Sequence, residues 1–263
     1  MSAPRTPSET AFRVADRLRR RPGPWDVYAE VIRRFEVHLN GREFEMRRGP
    51  ILLEGYGFRE IQPADGGVRI GFAGSTDLSE RGIERTADEA STAGRFASFP
   101  AKEVTLPAST GSSTSVETVD PELWDHPETS IDRFLSEILA PLEGRTDVRP
   151  SFGSLRVSLV EVTFTNSSGA EGRRRRTVAE LEFAIRSTDG GEGRPPGEYW
   201  VNQQSVSLDH RTAAGKVLDW CRKAKDARNA KPTPSGASQV LLPIEVLSDF
   251  VPATLGFRLG GQA

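Results

Sequence analysis

Cysteine is nearly absent from this sequence. Cys221 is the only one in 263 residues. One thiol can form no disulfide within the chain and no thiolate metal cluster. It lies in a helical pattern beside Trp220 with no base near it in sequence, so it reads as a buried structural thiol and not a nucleophile. Histidine is scarce too. His38, His126 and His210 have no metal-ligand spacing between them. Lysine occurs only at Lys102, Lys216, Lys223, Lys225 and Lys231, so most of the 35 basic residues are arginine. The formal net charge is −2, which excludes a global attraction to nucleic acid or anionic lipid. No apolar run approaches the roughly twenty residues of a membrane helix. The first twenty-one residues, ending in Arg17–Arg21, lack the apolar stretch of a signal peptide. A soluble, cytoplasmic protein with no membrane partner is the expectation.

What the chain does have is core-forming material in an ordered pattern. Hydrophobic residues make up 36% and charged residues 27%, enough for two modest domains or one larger one. Residues 1–24 read as a polar tail and a short helix over Ala11–Arg20, ended by Pro22-Gly23-Pro24. The basic run Arg17–Arg21 reads as a solvated helix face. From Trp25 the spacing becomes that of strands: Trp25–Asn40, the hairpin turn Asn40-Gly41, then Glu43–Arg47, Ile51–Gly57 and Val68–Phe72. A helix over Leu78–Phe96 follows, capped by Ser75, Thr76 or Asp77, with Ile83, Ala87, Ala90 and Ala93 on its packed face.

A Ser/Thr/Pro-rich linker over residues 99–120 separates this 25–98 subregion from a second one, 121–263. There the pattern predicts a helix over Ser130–Leu142, then an antiparallel meander of Leu155–Thr165, Arg173–Arg186 and Tyr199–Leu208. Asp209 is placed to cap a helix over His210–Ala230 with Leu218 and Ala224 inward. The apolar stretch Gln239–Pro243 ends in helical spacing at Ile244, Leu247, Val251 and Leu255. The fold class is therefore α+β, with mostly antiparallel sheets and packed helices in two α/β subregions joined by a linker.

Chemistry-bearing patterns are few. Asp209-His210 could orient an imidazole, but no nucleophile is set beside it. Arg173-Arg174-Arg175-Arg176 is the sharpest charge cluster. It reads as a solvated strand start whose side chains alternate between faces, with a phosphate or acidic-peptide patch as the other reading. No aromatic interleaving supports stacking on single strands. Gly55, Gly57, Gly66, Gly67 and Gly71 are followed by no Lys-Ser/Thr and make no phosphate loop.

Three stretches resemble the TldD/PmbA family, also called the modulator of DNA gyrase family. Gly71-Phe72-Ala73-Gly74-Ser75-Thr76-Asp77-Leu78, after Leu53–Arg59, is similar to that family's G-F-x-x-T-x-D-L passage into an Ala-rich helix. Asn166-Ser167-Ser168-Gly169 resembles its N-S-x-G hairpin. Arg211–Ala230 with Gln239–Pro243 is similar to the helix and strand that precede its metal motif. The resemblance runs from about Trp25 to Ala263 and implies the N-terminal portion of a two-subunit metallopeptidase, whose catalytic C-terminal half is expected outside this sequence.

In the zinc-bearing TldD type, the resemblance places a His-Glu-x-x-x-His motif directly after the strand. Two imidazoles there hold zinc, and the Glu activates its water. Here those positions carry Pro252, Ala253 and Phe257, which neither ligate nor take a proton. The resemblance thus implies the PmbA (TldE) type: no catalytic, metal or cofactor-binding residue in this chain, zinc only in a TldD-like partner, and a role in a peptidase system acting on peptides. A truncated stand-alone interaction module or gene fragment is the alternative. Nucleic-acid binding through the arginine run is disfavoured by the net charge.

Overall fold

The computed structural model describes residues 7–19, 21, 23–97, 103–108, 118–188, 195–231, 235–237, 239, 247, 251 and 254. The strands are β1 (Trp25–Asn40), β2 (Glu43–Ala64), β3 (Gly67–Ser75), β4 (Val148–Asn166), β5 (Glu171–Ser187) and β6 (Glu198–Ser205). The helices are α1 (Pro7–Leu18), α2 (Glu80–Phe96), α3 (Pro121–Asp125), α4 (Pro127–Leu139) and α5 (His210–Asp226). The six strands form one antiparallel sheet in the order β3-β2-β1-β4-β5-β6. The class is α+β.

The two subregions of the sequence share this sheet. β1 pairs along its whole length with β4, from Asp26 opposite Asn166 to Asn40 opposite Phe152. A pairing between segments so far apart in sequence leaves no local signal, because hydrophobic alternation fixes a strand's faces and not its neighbours. Residues up to Asn229 form one compact unit and residues 230–263 a second. Beneath the single sheet the core falls into two clusters. One joins α1 and α2 to Trp25, Val27 and Ala29 of β1 and to Tyr56 and Phe58 of β2. The other joins α3, α4 and α5 to Phe35, Val37 and Leu39 of β1 and to the inward residues of β4, β5 and β6. The β1 members of both clusters are odd-numbered, so both helical groups lie on one face of the sheet.

Several boundaries differ from the pattern-based expectation. β2 runs unbroken where two strands were expected. Gly49 and Pro50 sit at a register shift between Arg34 and Glu36, so the bulge absorbs a step that reads as a break. α2 starts at Glu80. Its cap is Ser79, whose Oγ accepts from Gly82 N at 3.0 Å, while Ser75 and Asp77 build the preceding turn. Gly94, not Ala93, is the buried residue of its last turn. The polar segment after Pro121 is the short helix α3, capped by Asp120. Asp209 caps α5 as expected, but Leu218 is 51% exposed, and Val217 and Trp220 take the inner side with Ala224. Arg17 and Arg21 are not a solvated face. Arg17 pairs with Glu80 and Glu84, and Arg21 with Asp88, tying α1 to α2.

Asp147, just before β4, anchors the end of α5. It accepts from Arg145 at 2.9 and 2.6 Å and from Lys225 at 3.0 Å. The Arg145 hydrogen bonds hold its carboxyl well below the ordinary value of 3.8, with Lys225 adding to the effect and burial opposing it. A depressed carboxylate stabilises the fold above its unfolded pKa, and that contribution fades as pH falls toward the folded value. Asp147→Asn should therefore lower the urea midpoint by a constant amount between pH 7 and 5. The gap to the parent protein should narrow below about pH 4. A gap independent of pH down to the acid transition would show that the ion pairs contribute nothing.

Candidate functional site

The sequence motifs resolve first into structural roles. Tyr56 Oη donates toward Asp77 O at 3.3 Å and lies 3.1 Å from Thr86 Oγ1, locking the turn between β3 and α2 to β2. In the hairpin turn, Asn166 Oδ1 accepts from Ser168 N at 3.0 Å and Ala170 N at 2.9 Å. Its Nδ2 donates to Pro107 O at 2.8 Å, and Ser167 Oγ accepts from Trp25 N at 3.1 Å. Both motifs thus hold the sheet and its connections together rather than present reactive atoms.

The positions matched to the zinc motif, Pro252, Ala253 and Phe257, lie outside the described residues, as does all of Gln239–Pro243 except Gln239. His38 lies in β1, His126 between α3 and α4, and His210 at the first position of α5. No metal-ligand cluster occurs among the described residues. No hydrogen bond joins the Asp209 carboxylate to the His210 ring among the described residues. That carboxylate is engaged by Thr212, from N at 3.3 Å and from Oγ1 at 2.5 Å, which lowers its pKa. Cys221 is buried, and burial pushes its thiol up, away from thiolate chemistry. No helix of the described residues is long and apolar enough to cross a membrane.

What remains is the other face of the sheet. The face of the sheet opposite the helices carries no helix among the described residues of this unit. On it, charges are arranged across strands. Glu36 accepts from Arg48 Nε at 2.8 Å and lies 3.5 Å from Arg156, which in turn lies 3.3 Å from Glu180. This chain of four crosses β2, β1, β4 and β5. The Arg48 hydrogen bond is the main reason the Glu36 carboxyl is lowered. Arg59 pairs with Asp26 at one end of the face, and Phe152 stacks on Trp200 at the other, with ring centres 6.2 Å apart. Between them Tyr28, Leu53 and Phe72 are 44%, 41% and 65% exposed.

The arginine run divides between the two faces, as alternation requires. Arg173 and Arg175 point to the helical side and share Glu161, with Arg175 at 3.3 Å. Arg175 and Arg33 also lie over the Trp124 ring, at 5.3 and 5.5 Å from its centre, fastening α3 to the sheet. Arg174 and Arg176 point to the helix-free face. Grooves of about 290 Å³ between α1 and α2 and about 710 Å³ along α2 are lined mainly by charged helix side chains, with no histidine, cysteine or lysine. Sequence reasoning singled out the run but missed Tyr28, Ile32 and Arg34 beside it. Their alternation was visible; which face the helices leave open was not.

No protein-family model matches the sequence, and no curated protein matches it. Solved structures do match. A protein described as a modulator of DNA gyrase from Thermotoga maritima superposes with a TM-score of 0.64 at 12% identity, covering 88% of this chain and 50% of that one. TldE from Thermococcus kodakarensis gives 0.58 at 16% identity, covering 82% and 47%. A further protein described as a modulator of DNA gyrase, from Bacteroides thetaiotaomicron, gives 0.60 at 15% identity, covering 81% and 48%. The chain therefore spans about half the length of each of these proteins. Over that span it has the fold of the TldD/PmbA, or modulator of DNA gyrase, proteins.

Proposed function

We propose that this chain is a non-catalytic subunit of a cytoplasmic, zinc-dependent peptidase system, pairing with a TldD-type subunit and helping to present peptides to it. The observation that carries the reading is the structural likeness to TldE together with Pro252, Ala253 and Phe257 at the positions of the zinc motif. None of those side chains can hold zinc or move a proton, so hydrolysis falls to the partner, which supplies the metal. This chain contributes surface: a helix-free sheet face and the outer edges of β3 and β6. Free strand edges take up extended peptides through backbone hydrogen bonds, and side-chain pockets then select among them.

Co-expression with the TldD-type subunit of the same genome tests the proposal. A stoichiometric complex should co-purify, with zinc and peptide hydrolysis in the complex and neither in this chain alone. A stable lone chain in cells that contain the partner, with the partner fully active without it, would sink the reading.

A further inference from the structure

The register of the sheet places an unusual group of side chains at the centre of the helix-free face. Arg174 of β5 lies opposite Val162 of β4, and Val162 opposite Glu30 of β1. In the next row Arg176 lies opposite Val160, and Val160 opposite Ile32. One row further, Val178 is followed by Ser158 and Arg34. The two arginines of β5 are exposed and make no ion pair with a carboxylate among the described residues. Arg34 is half-buried, and its Nε–H is out of solvent without a hydrogen-bond partner. Glu30 is the only carboxylate in these rows, and it already accepts from Tyr28 Oη at 2.9 Å. Arg176 is near enough to Tyr28 to oppose the rise that burial and Glu30 impose on its hydroxyl. Beneath the guanidinium groups Val160 is buried, with Ile32 and Val162 half-buried.

Among the described residues Arg174 and Arg176 have no carboxylate partner, Glu30 is already engaged by Tyr28, and the Glu36 that Arg34 approaches is bonded to Arg48, so on this apolar floor the guanidinium groups are in excess. Elsewhere on the same face the arginines Arg48, Arg59 and Arg156 all have carboxylate partners. Arg174 and Arg176 are two residues apart on one strand, so they repeat about every 7 Å. An extended peptide with an acidic residue at every second position has that same repeat. A duplex would meet the arginines but gain nothing from the valine and isoleucine floor, and the chain's net charge of −2 opposes it. We propose that Arg174, Arg176 and Arg34 form a subsite for an extended peptide carrying carboxylates at alternate positions, its backbone lying over Ile32, Val160 and Val162. This deepens the peptide-presenting role above and rests on it for the nature of the ligand.

The test is fluorescence anisotropy with the full chain and a labelled octapeptide alternating glutamate with valine. Binding should weaken as salt rises. It should fall roughly five- to tenfold in Arg174→Ala/Arg176→Ala and by a similar factor for a peptide with glutamine in place of glutamate. Arg173→Ala removes the same charge from the opposite face and should leave binding unchanged. Arg174 and Arg176 are exposed and make no ion pair among the described residues, so their double variant should keep the parent melting temperature, while Arg173→Ala leaves Glu161 paired with Arg175 alone. Equal binding of the two peptides overturns the proposal. So does an equal loss in Arg173→Ala, or tighter binding of a DNA duplex or of anionic vesicles at the same arginines. Failure here while the TldD-type subunit still co-purifies removes the acidic subsite and leaves the subunit role standing. Failure of both removes the shared premise.

Discussion

Gly71→Val should unfold most of the protein at room temperature or cost about 4 kcal/mol in urea denaturation. A β-carbon at Gly71 would stand 1.9 Å from the Ala90 carbonyl oxygen, 2.8 Å from its carbon and 2.8 Å from Gly94 N. These are backbone atoms of α2, so no side chain can swing aside. The helix must lift from β3, and with it Ile83, Ala87 and Ala90 leave the core they share with Phe58 and Tyr56. Gly71 has no positive φ, so the requirement is space and not backbone conformation. Gly94 completes the contact from the helix side, where an added β-carbon would lie 3.2 Å from Gly71 N. Gly215→Ala is the control. An added β-carbon there meets nothing within 4 Å, and α5 should gain about 0.5–1 kcal/mol from losing an interior glycine. A Gly71→Val protein with the parent midpoint would mean that α2 does not seat on β3.

The same device recurs at the other edge of the sheet. At Gly197, just before β6, a β-carbon would come within 2.1 Å of Ala224 O of α5. Each edge strand thus lets a helix backbone approach where a side chain would forbid it. Gly71 was visible in the sequence as part of a strand-to-helix motif, but Gly197 was not, because it sits in a Gly- and Pro-rich turn that reads as a loop. The elements were legible wherever period decides: the alternation of β1, β4 and β5 and the spacing of α4 and α5 mark them as strands and helices. What resisted reading was long-range. Nothing in Trp25–Asn40 announces that its second neighbour is Val148–Asn166. For the same reason the open face could not be assembled. Tyr28, Ile32 and Arg34 come from one end of the chain and Arg174 and Arg176 from the other, and only the pairing through β4 sets them side by side. The resemblance to TldD/PmbA proteins rested on a strand-to-helix passage, a hairpin turn and a helix followed by a strand, which are local and so survive in the sequence as short motifs.

Phe183→Ala should cost about 3–5 kcal/mol, the range for emptying a fully buried ring site. Phe183 of β5 is completely buried at the centre of the larger core cluster. Its ring faces Trp220 of α5 with centres 6.2 Å apart, and it fills the space above Gly153 of β4, where a β-carbon would lie 3.0 Å from it. Truncation leaves a cavity bounded by a tryptophan on one side and a glycine backbone on the other, neither of which can collapse into it. Phe183→Leu keeps most of the volume and should recover more than half of the loss. The consequence for the whole unit is larger than the site. β1 carries Trp25, Val27 and Ala29 into the smaller core cluster and Phe35, Val37 and Leu39 into the larger one, within one continuous strand. Weakening the larger cluster must therefore weaken the smaller one, and the helix-free face that both support. Circular dichroism and tryptophan fluorescence, measured in variants that keep Trp25 alone for the smaller cluster or Trp220 alone for the larger one out of the four tryptophans, should give a single coincident urea transition with and without Phe183→Ala. Two separate transitions in Phe183→Ala would show that the two clusters are independent folding units, joined by a sheet but not by cooperativity.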